Sequence, residues 1–203
     1  MGVIQLALLG RERSSFDATF SDVVHVELTD GAWIDYAESF VHGHALLFER
    51  LLADVHWHET TQQLYDKRVI TPRLVASIED LRTPEPFLHH VAAALSARYA
   101  VTFDRITFAL YRDGRDSVAW HRDRVLRQQK HGLVATVSVG EPRPFLVRRR
   151  GGGAPSLRYH LGWGDLMVMG GTCQVTHEHT VPKVRHVNGP RIAIMFRHSA
   201  RLE

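Results

Sequence analysis

From Phe103 onward the chain is cut into short apolar runs: Ile106–Arg112, Gly132–Val139, Pro144–Arg149, Leu157–Leu161, Leu166–Met169 and Arg191–His198. Asp113-Gly114, Gly140-Glu141-Pro142, Gly151-Gly152-Gly153, Gly162-Trp163-Gly164-Asp165 and Asn188-Gly189-Pro190 separate them. Runs of this length between turn-forming residues read as strands. Many short strands at this spacing predict a double sheet of jelly-roll type. Upstream, apolar residues recur at helical spacing from Glu38 to Val55, and Thr83-Pro84-Glu85-Pro86 starts a second helix running to Tyr99. Helices precede strands without alternating with them, which argues against a parallel Rossmann sheet. The glycine triplet 151–153 lacks the Lys-Ser/Thr of a phosphate loop and reads as a hairpin turn.

The expected fold class is therefore α+β, mainly β, a jelly-roll core with supporting N-terminal helices. With 203 residues the chain reads as one domain. Within it, residues 1–100 are expected to form an extension of helical supports and a lid, and 101–203 the jelly-roll core. The single Cys173 leaves no disulfide framework and suits a reducing cytoplasm. The apolar stretch Val3–Leu9 is too short to span a bilayer, so no membrane partner is expected. A net charge of +3, with Arg122, Arg124, Arg127, Arg143 and Arg148-Arg149-Arg150 clustered, permits a polyanionic partner. The expected oligomeric state is a monomer.

The chemistry-bearing residues lie inside the strand-rich half. In an extended strand residues i and i+2 share a face, so His121 and Asp123 of Trp120-His121-Arg122-Asp123 can hold one metal from one side. A second imidazole, His179 of Glu178-His179-Thr180-Val181-Pro182, would complete a 2-His-1-carboxylate triad with three positions open. His177, two residues earlier, competes for that place, and His186 and His198 are weaker rivals. In the last strand, alternation sends Arg191, Ala193, Met195 and Arg197 to one face and Ile192, Ile194 and Phe196 to the other. Two arginines on a core-adjacent face need acceptors, and a dicarboxylate would supply both.

These patterns come in an order that resembles the AlkB family of Fe(II)/2-oxoglutarate dioxygenases. The matching residues are Pro72-Arg73, Tyr111-Arg112-Asp113-Gly114-Arg115-Asp116, His121-Arg122-Asp123, Ser138-Val139-Gly140, Gly164-Asp165-Leu166, Met169-Gly170-Gly171, Glu178 to Lys183 and Arg191 to Arg197. The resemblance runs from about Thr71 to Arg197. It implies a double-stranded β-helix, Fe(II) at His121, Asp123 and His179 rather than His177, and 2-oxoglutarate held by Tyr111, Arg191 and Arg197. The implied reaction consumes O₂ and 2-oxoglutarate and releases succinate and CO₂. It hydroxylates an N-alkyl carbon, which then leaves as formaldehyde.

The implied substrate is an alkylated DNA or RNA base, with Pro72, Arg73, Trp120 and Arg122 as candidate contacts. Departures from the family pattern are Ala109 and Ala193, where Asn is frequent. Ile78 stands where a stacking aromatic is expected, and Val125 where an acid is expected. Trp120 or Trp33 could supply stacking instead. Two alternatives remain from the sequence: the same chemistry on a protein or small molecule, and a nucleic-acid-binding protein with a degenerate oxygenase centre.

Overall fold

A computed structural model describes residues 14–64, 67–123 and 132–198, with side chains outside 62–70. In chain order the strands and helices are β1 (Ser15–Phe16), β2 (Val24–Glu27), β3 (Ala32–Ala37), β4 (Val41–His42), α1 (His44–Asp54), β5 (His58–Leu64), β6 (Lys67–Ser77), α2 (Pro86–Tyr99), β7 (Arg105–Tyr111), β8 (Val118–His121), β9 (Val134–Gly140), β10 (Arg143–Arg149), β11 (Leu157–Leu161), β12 (Asp165–Gly171), α3 (Cys173–Thr176), β13 (His177–Val181) and β14 (Arg191–Arg197). An eight-stranded sheet runs β2-β3-β12-β9-β14-β7-β6-β5, and a four-stranded sheet runs β11-β10-β13-β8.

Period-two alternation divides the core into two layers. On β14, Ile192, Ile194 and Phe196 pack with Ile106, Phe108 and Leu110 of β7 and with Leu47, Leu51, Leu88 and Leu95 of the helices. The opposite faces, Ala109, Tyr111, Met167, Met169 and Ala193, meet Phe145, Val147 and Val181 of the smaller sheet. The larger sheet is thus buried on both sides, by helices and by the second sheet. This explains why β9 is buried at six of its seven positions.

The six expected runs become β7, β9, β10, β11, β12 and β14, within two residues at each end, while β8 and β13 lie outside those runs. The N-terminal half differs from its expectation. Strands β2, β3, β5 and β6 extend both ends of the larger sheet, so this half supplies more than helical support. Helix α1 begins at His44 rather than Glu38, because Gly43 takes a left-handed conformation (φ 66°) and Val41–His42 is extended. Helix α2 starts on Pro86, whose fixed φ and missing N–H suit a first helical turn. Gly151, Gly152 and Gly153 join β10 to β11, each at positive φ with open space around it, as a hairpin turn requires. Val3–Leu9, Arg124, Val125 and Arg127 lie outside the described residues. Among those described, no helix is long and apolar enough to cross a membrane.

Candidate metal and co-substrate site

A cavity of about 480 Å³ opens between the two sheets. Strand β8 ends at His121, so Asp123 lies just past the strand instead of on its face. The carboxylate reaches the site by other means. The Asp123 backbone N–H donates to Oε1 of buried Gln174 in α3 (3.0 Å), and Arg197 Nε donates to Asp123 Oδ1 (2.7 Å). Asp123 Oδ2 then faces His179 Nε2 at 3.7 Å. His121 pairs with His179 across β8 and β13, their ring centroids 4.2 Å apart.

All three side chains line the cavity, together with Tyr111, Arg191 and Arg197. His177 does not. It is buried at the start of β13 with Nδ1 2.8 Å from Thr176 Oγ1. His198 is a core residue whose Nε2 accepts the Leu133 N–H, and His186 is exposed in the loop before β14.

The donor chemistry suits a ferrous ion. Burial pulls the His179 imidazole down to about 3, with His121 adding to the effect, and burial also lowers His121. Both are neutral ligands near neutral pH. Burial alone would raise the Asp123 carboxyl, but the charge of Arg197, the leading opposing cause, and its hydrogen bond help hold the group below its usual range. The Nδ1 of His121 lies 2.9 Å from the Ala119 carbonyl oxygen, a bond that fixes the tautomer and presents Nε2 as the ligand atom. At metal–ligand bonds of about 2.1 Å two donors lie at most about 4 Å apart, so the 3.7 Å between Asp123 and His179 can be bridged by one ion. As placed, the triad is gathered but not closed: among the described residues no three His, Cys, Asp or Glu form a ready cation cage. Cys173 is buried close enough to feel Asp123, and burial reinforced by that charge pushes its thiol up to about 12.

Beside the triad the cavity becomes an anion site. Arg191 is 1% exposed, and burial pulls its guanidinium down to about 10. Its Nη2 donates to Ser138 Oγ (2.6 Å), while Nε and Nη1 have no acceptor among the described residues. The register sets Arg191 directly opposite Tyr111, whose hydroxyl accepts from Arg73 Nη1 (3.0 Å) and whose ring lies 5.4 Å from the Arg191 guanidinium carbon. Among the described residues, Arg73, Arg122, Arg191 and Arg197 line the cavity with one acid, Asp123. A dianion fits that balance.

The two terminal arginines divide their work differently from the expectation. Arg197 is committed to Asp123 and to Thr107 Oγ1, and it is Arg191 that keeps free donors. Of the candidate substrate contacts, Arg73, Trp120 and Arg122 border the cavity. Pro72 does not; its carbonyl accepts the Ser117 N–H. Trp33 stacks on Tyr99 (5.9 Å) away from the cavity, and Ile78 packs into the helix-side core. Gln174 escaped the sequence reading because a lone Gln in a four-residue helix carries no spacing signal.

Two stacked sheets enclosing imidazoles, a carboxylate and a buried guanidinium with two unspent nitrogens define a non-haem oxygenase scaffold. The comparisons narrow this class. The chain belongs to the 2OG-Fe(II) oxygenase superfamily, whose family model matches residues 37–197, and within it is AlkB-like. Members are dioxygenases that use Fe(II), 2-oxoglutarate and O₂. The human alpha-ketoglutarate-dependent dioxygenase alkB homolog 3 is 29% identical over 171 residues, covering 74% of this chain and 60% of the relative. The DNA oxidative demethylase ALKBH2 of Bos taurus is 29% identical over 119 residues, covering 55% and 43%. The chain therefore spans about three-fifths or less of the length of these curated relatives. Among solved structures, OsALKBH1 superposes with a TM-score of 0.58 at 12% identity, covering 86% of this chain and all of that one. A Trichoplax adhaerens prolyl hydroxylase gives 0.55 at 11% identity, covering 84% of each. At such identities these two establish the double-stranded β-helix fold.

Proposed function

We propose that this chain is an Fe(II)- and 2-oxoglutarate-dependent dioxygenase that removes N-alkyl groups from nucleic-acid bases. The observation that carries the reading is Arg191, buried with two donors unspent, in the same cavity as the His121, Asp123 and His179 donor set. His121, Asp123 and His179 would hold Fe(II), which when bound supplies the redox chemistry that spends O₂ on co-substrate and substrate together. Arg191 anchors the distal carboxylate of 2-oxoglutarate through charge-assisted hydrogen bonds, with Tyr111 beside it. Arg197 keeps Asp123 ionised and orients its second oxygen toward His179. Val134, Phe145, Met169, Val181 and Met195 line the cavity and limit the water that could compete for the site.

The substrate assignment rests on the names of the relatives and on the cationic lining. Hydroxylation of an N-methyl carbon gives an N-hydroxymethyl base, which loses formaldehyde and returns the N–H. Incubating the protein with Fe(II), ascorbate, 2-oxoglutarate and N-methylated single- or double-stranded oligonucleotides should release formaldehyde in step with succinate. Robust succinate with unchanged oligonucleotides would move the chemistry to a protein or small-molecule substrate. One observation favours that second reading: among the described residues, β5 and β6 contribute no aromatic side chain to the cavity lining. The whole described chain serves as one oxygenase unit, with β5 and β6 as the substrate-facing edge.

A further inference from the structure

Among the described residues, β5 and β6 line the cavity with Thr60, Thr61, Thr71, Arg73, Val75 and Ala76; none is aromatic, and Arg73 is held by the Tyr111 hydroxyl. A stacking surface exists on the other sheet. Strand β8 is its edge. His121 pairs with His179 and faces inward, so Trp120 takes the outer face, the one that carries Glu178 of β13. The Arg148 guanidinium of β10 lies 4.0 Å from the centroid of the Trp120 ring. Arg148 is fixed in turn by Glu178, which accepts from its Nε (3.2 Å) and Nη2 (3.1 Å). Trp120 nevertheless borders the cavity, so the indole stands at its mouth. Exposed Arg158 and His160 of β11 share the outer face through the register with Leu146 and Pro144.

We propose that Trp120, held by an Arg148 that Glu178 fixes in place, is a stacking platform for an unpaired nucleobase next to the one that enters the cavity. The proposal rests on the nucleic-acid reading above and adds single-strand engagement to it. A side chain fixed before binding loses little freedom when a ligand arrives. A base in a duplex has both faces covered by its neighbours, so a half-buried indole at the cavity mouth selects an unpaired base, and it does so without regard to sequence. Arg148 acts as a positioning residue through its contact with the ring, and Arg158 lies on the face along which a bound strand's phosphates would run.

The test is anaerobic titration of the iron- and 2-oxoglutarate-loaded protein into a single-stranded oligonucleotide bearing one 1-methyladenine with 2-aminopurine as its neighbour. Wild type and Trp120→Phe should quench the 2-aminopurine emission with similar affinity. Trp120→Leu should bind on the order of tenfold more weakly, the size of one lost base stack, and lose the quench. Arg148→Ala, which leaves the indole in place, should reduce the quench, and Arg148→Lys should restore part of it. Unchanged quench and affinity in both Trp120→Leu and Arg148→Ala would overturn the platform while leaving the nucleic-acid reading intact. Equal affinity for the duplex would overturn single-strand engagement. Failure of the wild type to bind any oligonucleotide would overturn both readings.

Discussion

At the scale of single residues, Arg191 shows how a site trades stability for binding. A guanidinium that is 1% exposed, with two nitrogens unpartnered among the described residues, is costly in the ligand-free protein. Arg191→Met is therefore expected to raise the melting temperature of the ligand-free protein. The same change should weaken 2-oxoglutarate binding by about 10–100-fold, the size of a lost charge-assisted hydrogen bond. Thermal melts and isothermal titration on one preparation read both, and a lower melting temperature with unchanged binding would refute the role. Asp123→Ala and His179→Gln should each weaken Fe(II) binding by at least 100-fold in anaerobic metal titration, while His177→Gln leaves it within a few-fold. Gln174→Ala should cost about tenfold, at the low end of what outer partners of a metal ligand contribute. Parity between the His177 and His179 variants would show that the ligand was misassigned.

At the scale of elements, the alternation along β14 was legible because Ile192, Ile194 and Phe196 leave only one face for the arginines. The division of labour between Arg191 and Arg197 was not legible, since it depends on where Asp123 stands in space. The i, i+2 argument placed Asp123 on a strand that stops at His121, and the side chain arrives instead through Gln174 and Arg197. The N-terminal edge strands β2 and β5 were missed for a related reason. His58–Leu64 is polar, and edge strands with one open side carry a weak hydrophobic signal. The two alanine departures, Ala109 and Ala193, prove to be directly opposed partners on β7 and β14. They therefore act as one local change in the floor of the site. Helix α1 makes an element-scale prediction. Gly43→Ala forces a side chain into the left-handed region and should cost about 1 kcal/mol in urea unfolding. No loss of stability would mean the chain can enter α1 by another route.

For the whole molecule, burying two imidazoles in neutral form couples folding to pH. His179 is pulled down to about 3 and His121 is lowered too, so between about pH 6.5 and the folded values the unfolded chain binds protons that the native chain excludes. Stability is then fully present above about pH 6.5 and falls as the pH drops, by about 1 kcal/mol per unit for His179 alone. Urea midpoints of the metal-free protein between pH 7.5 and 5 should show that slope, and His179→Gln should flatten it. A slope that survives the substitution would assign it to other histidines. Fe(II), which takes neutral imidazoles, should meet no proton competition at His179 over that range, because the folded site already holds this ring unprotonated.

The protonated thiol of Cys173 bears on which ion this interior would accept. A sulfur with its proton held up to about 12 is a poor donor to soft metals such as copper(I) or zinc, which compete best when thiolate is on offer. Burial, reinforced by the Asp123 charge, thus keeps the only sulfhydryl in the chain protonated. The nitrogen and oxygen atoms around it are left to a harder cation.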